Sequence, residues 1–211
     1  FEMRDKHLEE VDLMTLGTLG SVLPSLEKLW LFETSGVGMG VGDGVQLLAE
    51  GLGAGALPAV ALPQFVGVQV YDTGALALAA ALGRGALPRL EVLSLTHAAI
   101  GDAGLVALAP ALRRLPALEQ LNLLDNPLGD QGLAALVAPP PPPGALLPPT
   151  GVLTKLKELI LDHTHVTNAG ALIATIDSGA LPALTKVGLW GTRARYAVEA
   201  AVQEALAKRA N

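Results

Sequence analysis

The phrase Leu-Pro-x-Leu-x-x-Leu-x-Leu returns again and again along this chain, and a chain that repeats itself at such an interval has few ways to fold. It reads LPSLEKLWL from Leu23, LPRLEVLSL from Leu87, LPALEQLNL from Leu115, LTKLKELIL from Leu153 and LPALTKVGL from Leu181, with a degraded copy, LPAVALPQF, from Leu57. Successive copies start 28 to 38 residues apart. A unit of that size cannot bury its apolar face alone, so neighbouring units stack into a solenoid around a shared core.

The third copy shows what each unit contains. Leu93 and Leu95 alternate with polar or smaller neighbours, the period of a short strand. Gly101-Asp102-Ala103-Gly104 reads as a turn whose Asp can cap the helix that follows. Leu105, Leu108 and Leu112 then fall on one helical face. The fourth copy repeats this with Leu121, Leu123, Gly129-Asp130-Gln131-Gly132, Leu133 and Leu136, and the sixth places Val198, Val202 and Leu206 on its helix. The second copy is expected to lack a strand, because Pro63 stands at a core-leucine position, while Asp72, Gly74, Leu78 and Leu82 stay in register. The wider intervals carry insertions at 35–40 and at about 139–151, the latter holding Pro139–Pro143. Residues 1–22 do not fit the phrase and are expected to form an N-terminal cap on a single domain spanning 23–211. The proline run is expected to be a stiff spacer that leaves the solenoid and returns.

The composite pattern LxxLxLxx(N/T)x(I/L)GDxGxxxLAxxL, from Leu23 to Ala210, resembles the ribonuclease-inhibitor-like class of leucine-rich repeats. The Asn of that pattern is filled by Thr34, Asn126, Thr164 and Thr192, and the third copy departs from it with Ala98. The resemblance implies an α/β solenoid of about six repeats, a right-handed horseshoe segment with a parallel sheet on the concave face and helices on the convex face. It also implies protein binding through the concave face and no shared catalytic residues.

Alternation within each strand sends the leucines inward and sets the residues between them on the sheet's open face. Those residues are Lys28, Trp30, Phe32; Leu62, Gln64, Val66; Val92, Ser94, Thr96; Gln120, Asn122, Leu124; Glu158, Ile160, Asp162; and Lys186, Gly188, Trp190. Three of the chain's seven aromatic residues fall here, so Trp30, Phe32, Val92, Leu124, Ile160 and Trp190 are the candidate binding residues. At the strand exits the copies place Glu33, Gly67, His97, Asp125, His163 and Gly191. His97, Asp125 and His163 would stack about 4.8 Å apart, which raises a His–Asp–His metal site, in a metal-binding protein or enzyme, as an alternative of another class. Ordinary hydrogen bonding of a carboxylate between two imidazoles explains the same row.

Other chemistries find little support. Net charge is −6 with no Lys/Arg cluster, so nucleic acid is excluded as a partner. The glycine run from Gly36 to Gly44 fails the dinucleotide spacing, with Val41 where glycine is needed, and no Gly-Lys-Ser/Thr follows. There is no Cys and no Gly-x-Ser-x-Gly, so no catalytic residue and no cofactor is assigned. The uncharged stretches 51–71 and 131–154 are broken by proline and glutamine, so no spanning helix is expected. Without cysteine the chain is expected in an intracellular setting, cytoplasmic or organellar, and a start at Phe1 leaves room for a removed targeting segment. The expected function is a non-enzymatic binding or scaffold module with a stable protein partner. With only 16% charged residues, the alternative is a linker subunit embedded in a large, even membrane-associated, assembly.

Overall fold

The computed structural model describes residues 2–3, 10–20, 22–32, 44–137 and 153–210. Strands and helices alternate throughout: β1 Glu2–Met3, α1 Glu10–Leu19, β2 Lys28–Phe32, α2 Gly44–Gly51, β3 Leu62–Val66, α3 Tyr71–Gly83, β4 Val92–Thr96, α4 Asp102–Leu112, β5 Gln120–Asn122, α5 Asp130–Leu136, β6 Glu158–Ile160, α6 Gly170–Asp177, β7 Lys186–Gly188 and α7 Arg195–Ala210. The seven strands form one parallel, unclosed sheet in chain order. Strands repeat about every 4.8 Å, whereas packed helices are about 10 Å wide, so the stack bends with the sheet inside. The α/β solenoid expected from the repeats is what the chain forms. The insertion at 35–40 and the proline loop at 139–151 lie outside the described residues.

One core runs the length of the stack between sheet and helices. The phrase leucines fill it: Leu93, Leu95, Leu121 and Leu159 from the strands, Leu123 and Leu161 from just beyond them, with Leu105, Leu108 and Leu112 from α4. One expectation needs correction. The second copy keeps its strand, since β3 pairs with β2 over five residues and Leu29 faces Pro63. Proline's fixed φ suits a strand, and it withholds only one ladder donor while Phe65 takes over the core. Residues 1–22 also hold a strand and a helix: β1 pairs parallel with β2, Met3 opposite Leu31, and α1 packs on α2. Gly17 and Gly51 make that close approach possible, because a Cβ on Gly17 would lie 2.5 Å from the Leu48 carbonyl oxygen.

The turn motif works differently from expectation as well. Asp102 does not cap its own helix. Its carboxylate accepts hydrogen bonds from the backbone N–H of Gly129 (2.8 Å) and Gly132 (2.7 Å), at the start of α5. Asp72 does the same one repeat earlier, for Gly101 (2.8 Å) and Gly104 (3.0 Å) at the start of α4. Each aspartate therefore opens one helix and supplies the missing acceptor for the next. The glycines follow from this arrangement: a Cβ on Gly104 would stand 2.5 Å from Asp72 Oδ1, and one on Gly132 2.9 Å from Asp102 Oδ1.

Candidate functional site

Strand register places the open-face residues in rows that cross the sheet. Trp30 is paired with Gln64, Gln64 with Ser94, Ser94 with Asn122, Asn122 with Ile160 and Ile160 with Gly188. A second row starts Phe32, Val66, Thr96 and continues, two residues beyond the paired strands, through Leu124 and Asp162 to Trp190. A third runs Val92, Gln120, Glu158, Lys186. The six candidate binding residues thus share one face but not one row. Leu124 and Trp190 are aligned with Phe32, Ile160 with Trp30, and Val92 with the polar row.

Their exposure differs from end to end. Trp30 and Phe32 are half-buried and packed edge to face, ring centroids 6.4 Å apart. Trp30 Nε1–H is buried without an acceptor among the described residues. Val92, Leu124 and Ile160 are half-buried, and between them Ser94 and Thr96 are buried and joined by a 3.1 Å hydroxyl hydrogen bond. Trp190 is 56% exposed, the most open aromatic ring on the face. Five strand steps separate the two tryptophans, roughly 24 Å.

Trp190 is held by residues that sequence reasoning did not assign to it. Its backbone N–H donates to Asp162 Oδ1 at 2.6 Å. The His163 ring meets the indole edge-on, centroids 4.5 Å apart, and the Arg195 guanidinium lies 5.9 Å from the indole centre. Room for both supports comes from glycine on either side. A Cβ on Gly188 would lie 2.8 Å from the Asp162 carboxylate, and one on Gly191 2.5 Å from His163 Nδ1. The Gly-Leu-Trp-Gly spelling was the available signal.

The strand-exit row is real, but its chemistry is conformational. His97, Asp125 and His163 have φ of 53°, 57° and 54°, with Gly67 and Gly191 at 72° and 73° in the equivalent positions. Left-handed backbone at each exit turns the N–H onto the next repeat: His97 donates to Leu124 O, Asp125 to Asp162 O and His163 to Trp190 O. Glycine, aspartate and histidine are among the residues that tolerate this conformation best, which accounts for the residue types without a metal. His97 Nδ1 and Asp125 Oδ2 pair at 3.3 Å, while His163 turns away to Trp190. Among the described residues no three His, Cys, Asp or Glu side chains gather as a metal site would require. Glu33 of this row lies outside the described residues.

Along the strand starts, Lys157 pairs with Glu119 at 2.7 Å and Lys186 with Glu158 at 3.3 Å. These are exposed pairs, worth about 0–1 kcal/mol each, and they leave this edge largely self-neutralised. Among the described residues no helix is long and apolar enough to cross a membrane.

Comparison with known proteins agrees with this architecture. A family model described as Leucine Rich repeat matches residues 87–109 and 115–137. Among solved structures, the actin-binding site 2 of leiomodin-1 resembles the chain over 96% of its length and 91% of the other, with TM-score 0.52 and 13% identity. No curated protein matches in sequence. The fold is an α/β leucine-rich repeat solenoid.

Proposed function

We propose that this chain is a non-enzymatic protein-binding module that holds a stable partner on its concave sheet face, in the manner of ribonuclease-inhibitor-like repeats. The observation that carries the reading is Trp190: a mostly exposed indole flanked by His163 and Arg195, on a backbone whose N–H is tied to Asp162. A rigid, exposed aromatic is the kind of anchor that dominates protein interfaces, because little freedom is lost when it docks. Half-buried Leu124, Ile160, Val92, Phe32 and Trp30 extend the apolar surface across the sheet. The structural neighbour is itself an actin-binding site, and its likeness in fold supports a protein-binding use while carrying no residue across. An intracellular setting, cytoplasmic or organellar, belongs to the same proposal.

A second reading, a subunit embedded in a larger assembly, is favoured by the outer helices. In α3, α4 and α5 the charged residues are Asp72, Asp102 and Asp130, all three engaged with the following repeat. What those helices turn outward includes Leu76 and Val106, both exposed. One experiment separates the two readings. Native purification followed by mass spectrometry identifies what stays bound to the wild type, to Trp190→Glu and to Leu76→Glu. Loss of the partner with Trp190→Glu alone supports the concave face. Loss with Leu76→Glu alone moves the contact to the convex face and overturns the first reading.

A further inference from the structure

We infer that the middle of the concave face, β3 to β5, takes an extended, uncharged segment of the partner and hydrogen-bonds its backbone through Gln64, Gln120 and Asn122. The inference rests on the concave-face reading above and names the chemistry of what that face holds. Charge is spread unevenly over the sheet. Lys28 stands on β2, Glu158 on β6 and Lys186 on β7, and Asp162 lies just beyond β6, whereas every open-face position of β3, β4 and β5 is uncharged. The loops leading into and out of β3, β4 and β5 belong to the described residues, as do the flanking strands β2 and β6.

The three amides are half-buried, and most of their hydrogen-bonding capacity is unused. The side chains of Gln64 and Gln120 bond to nothing among the described residues, and their amides stay open to solvent. Asn122 uses only Oδ1, which accepts from Leu124 N–H at 3.0 Å. Ser94 and Thr96, between them, are already engaged with each other. A primary amide offers two donors and an acceptor, the complement of a peptide group. Gln64 is in register with Ser94 and Ser94 with Asn122, so the two amides stand two strand steps apart, about 10 Å. Three residues of an extended chain cover the same distance, so a segment crossing the strands brings one backbone amide to each. Half-buried Val92 and Leu124 give its side chains apolar contact. A charged side chain set down here loses hydration and meets no opposite charge, which selects against charged segments. The flanking charges are spoken for: Lys186 pairs with Glu158 at 3.3 Å, and Asp162 accepts from Trp190 N–H at 2.6 Å.

Panning a displayed library of random peptides, each about seven residues long, on the immobilised full chain tests this. The enriched peptides are expected to lack Asp, Glu, Lys and Arg at their centres, and their affinity to change less than about twofold between about 50 and about 500 mM NaCl. Gln64→Leu loses no bond within the chain, and Asn122→Asp keeps an acceptor for Leu124 N–H. Each should weaken binding at least about tenfold while leaving the melting temperature in place. No enrichment overturns the proposal, and so does enrichment of charged peptides that salt releases. Binding lost with Trp190→Glu but with neither amide variant also overturns it, while leaving the concave-face reading standing. Binding that survives all three variants lies off this face and overturns the proposal, and the native purification above still decides the reading it rests on.

Discussion

Repeats three and four and the two repeats that follow them share a backbone and differ in how their polar groups are tied. In the first pair, Asn126 is 2% exposed and spans the stack. Its amide donates to Leu95 O (2.7 Å), Leu123 O (2.9 Å) and Leu124 O (3.1 Å), and its carbonyl accepts from Ile100 N (2.9 Å). In the later repeats Thr164 and Thr192 fill that position, and each hydroxyl donates three residues back, to Leu161 O and Leu189 O. The Asp–Gly relay changes at the same place. Asp130 finds no glycine pair ahead and instead accepts from Thr167 and Asn168 in an exposed loop, while Asn168 accepts from Gly170 at the start of α6. The first pair is joined through the buried Asn126 amide, whereas the threonines at that position bond within their own repeat and leave the later joints to Thr175, which donates to Val137 O, and Asp162, which accepts from Trp190 N–H. The family model matches the first pair. Leucine spacing suffices to stack a repeat, whereas cross-repeat bonds make stacked repeats unfold together.

Breaking the comparison calls first for Asn126→Ala. It strands several buried backbone groups and should destabilise the protein by about 3 kcal/mol or more, against about 1 kcal/mol for Thr164→Ala, both read by urea unfolding. Equal losses would mean that the asparagine does not couple the repeats. Gly104→Ala drives a methyl into Asp72 and should cost about 2 kcal/mol. Gly170→Ala meets the Asn168 side chain alone and should shift the midpoint far less, with helix propensity in its favour.

Acid titration sharpens the contrast at Asp130. Burial pushes its carboxyl up, but hydrogen bonds from the Thr167 hydroxyl and the backbone of Asn168 and Thr167 outweigh that and leave it below the ordinary carboxylate value. A depressed value stabilises the folded state above the unfolded pKa, near 4, and that contribution disappears as pH falls through the folded value. The stability gap between wild type and Asp130→Asn should therefore be constant above about pH 5 and close below pH 4. A gap unchanged down to pH 2 would show that the carboxylate is not engaged in solution. The smallest effect belongs to His97→Gly and His163→Gly. Both relieve left-handed backbone and should change stability by less than about 1 kcal/mol, while His97→Val should lose about 1–2 kcal/mol.

Most of the architecture was legible because leucine spacing encodes it directly. Alternation gave the open-face rows, and the observed register of Trp30 with Gln64 and Asn122 with Ile160 matches them. The relay from Asp72 to Gly101 was not legible, since donor and acceptor stand 29 residues apart and an aspartate before a helix looks like that helix's own cap. His97, Asp125 and His163 were legible as a row, but the left-handed backbone they share was not, because φ is a backbone property that residue type only hints at. Pro63 was over-read: one lost donor does not abolish a strand whose neighbours on both sides are in register. The support for Trp190 was hidden in two glycines whose purpose appears only once Asp162 and His163 lean over them.

The forward reach of each aspartate also gives the molecule a direction. Asp72 serves α4, Asp102 serves α5 and Asp130 serves the loop before α6, always the later neighbour and never the earlier one. Trimming from the C-terminus leaves behind a carboxylate, which water solvates readily. Trimming from the N-terminus leaves a helix start with orphaned N–H groups, and its glycines have no partner to accommodate. Shortening this protein is thus not a symmetric operation: it behaves like a line of dominoes that topples only one way.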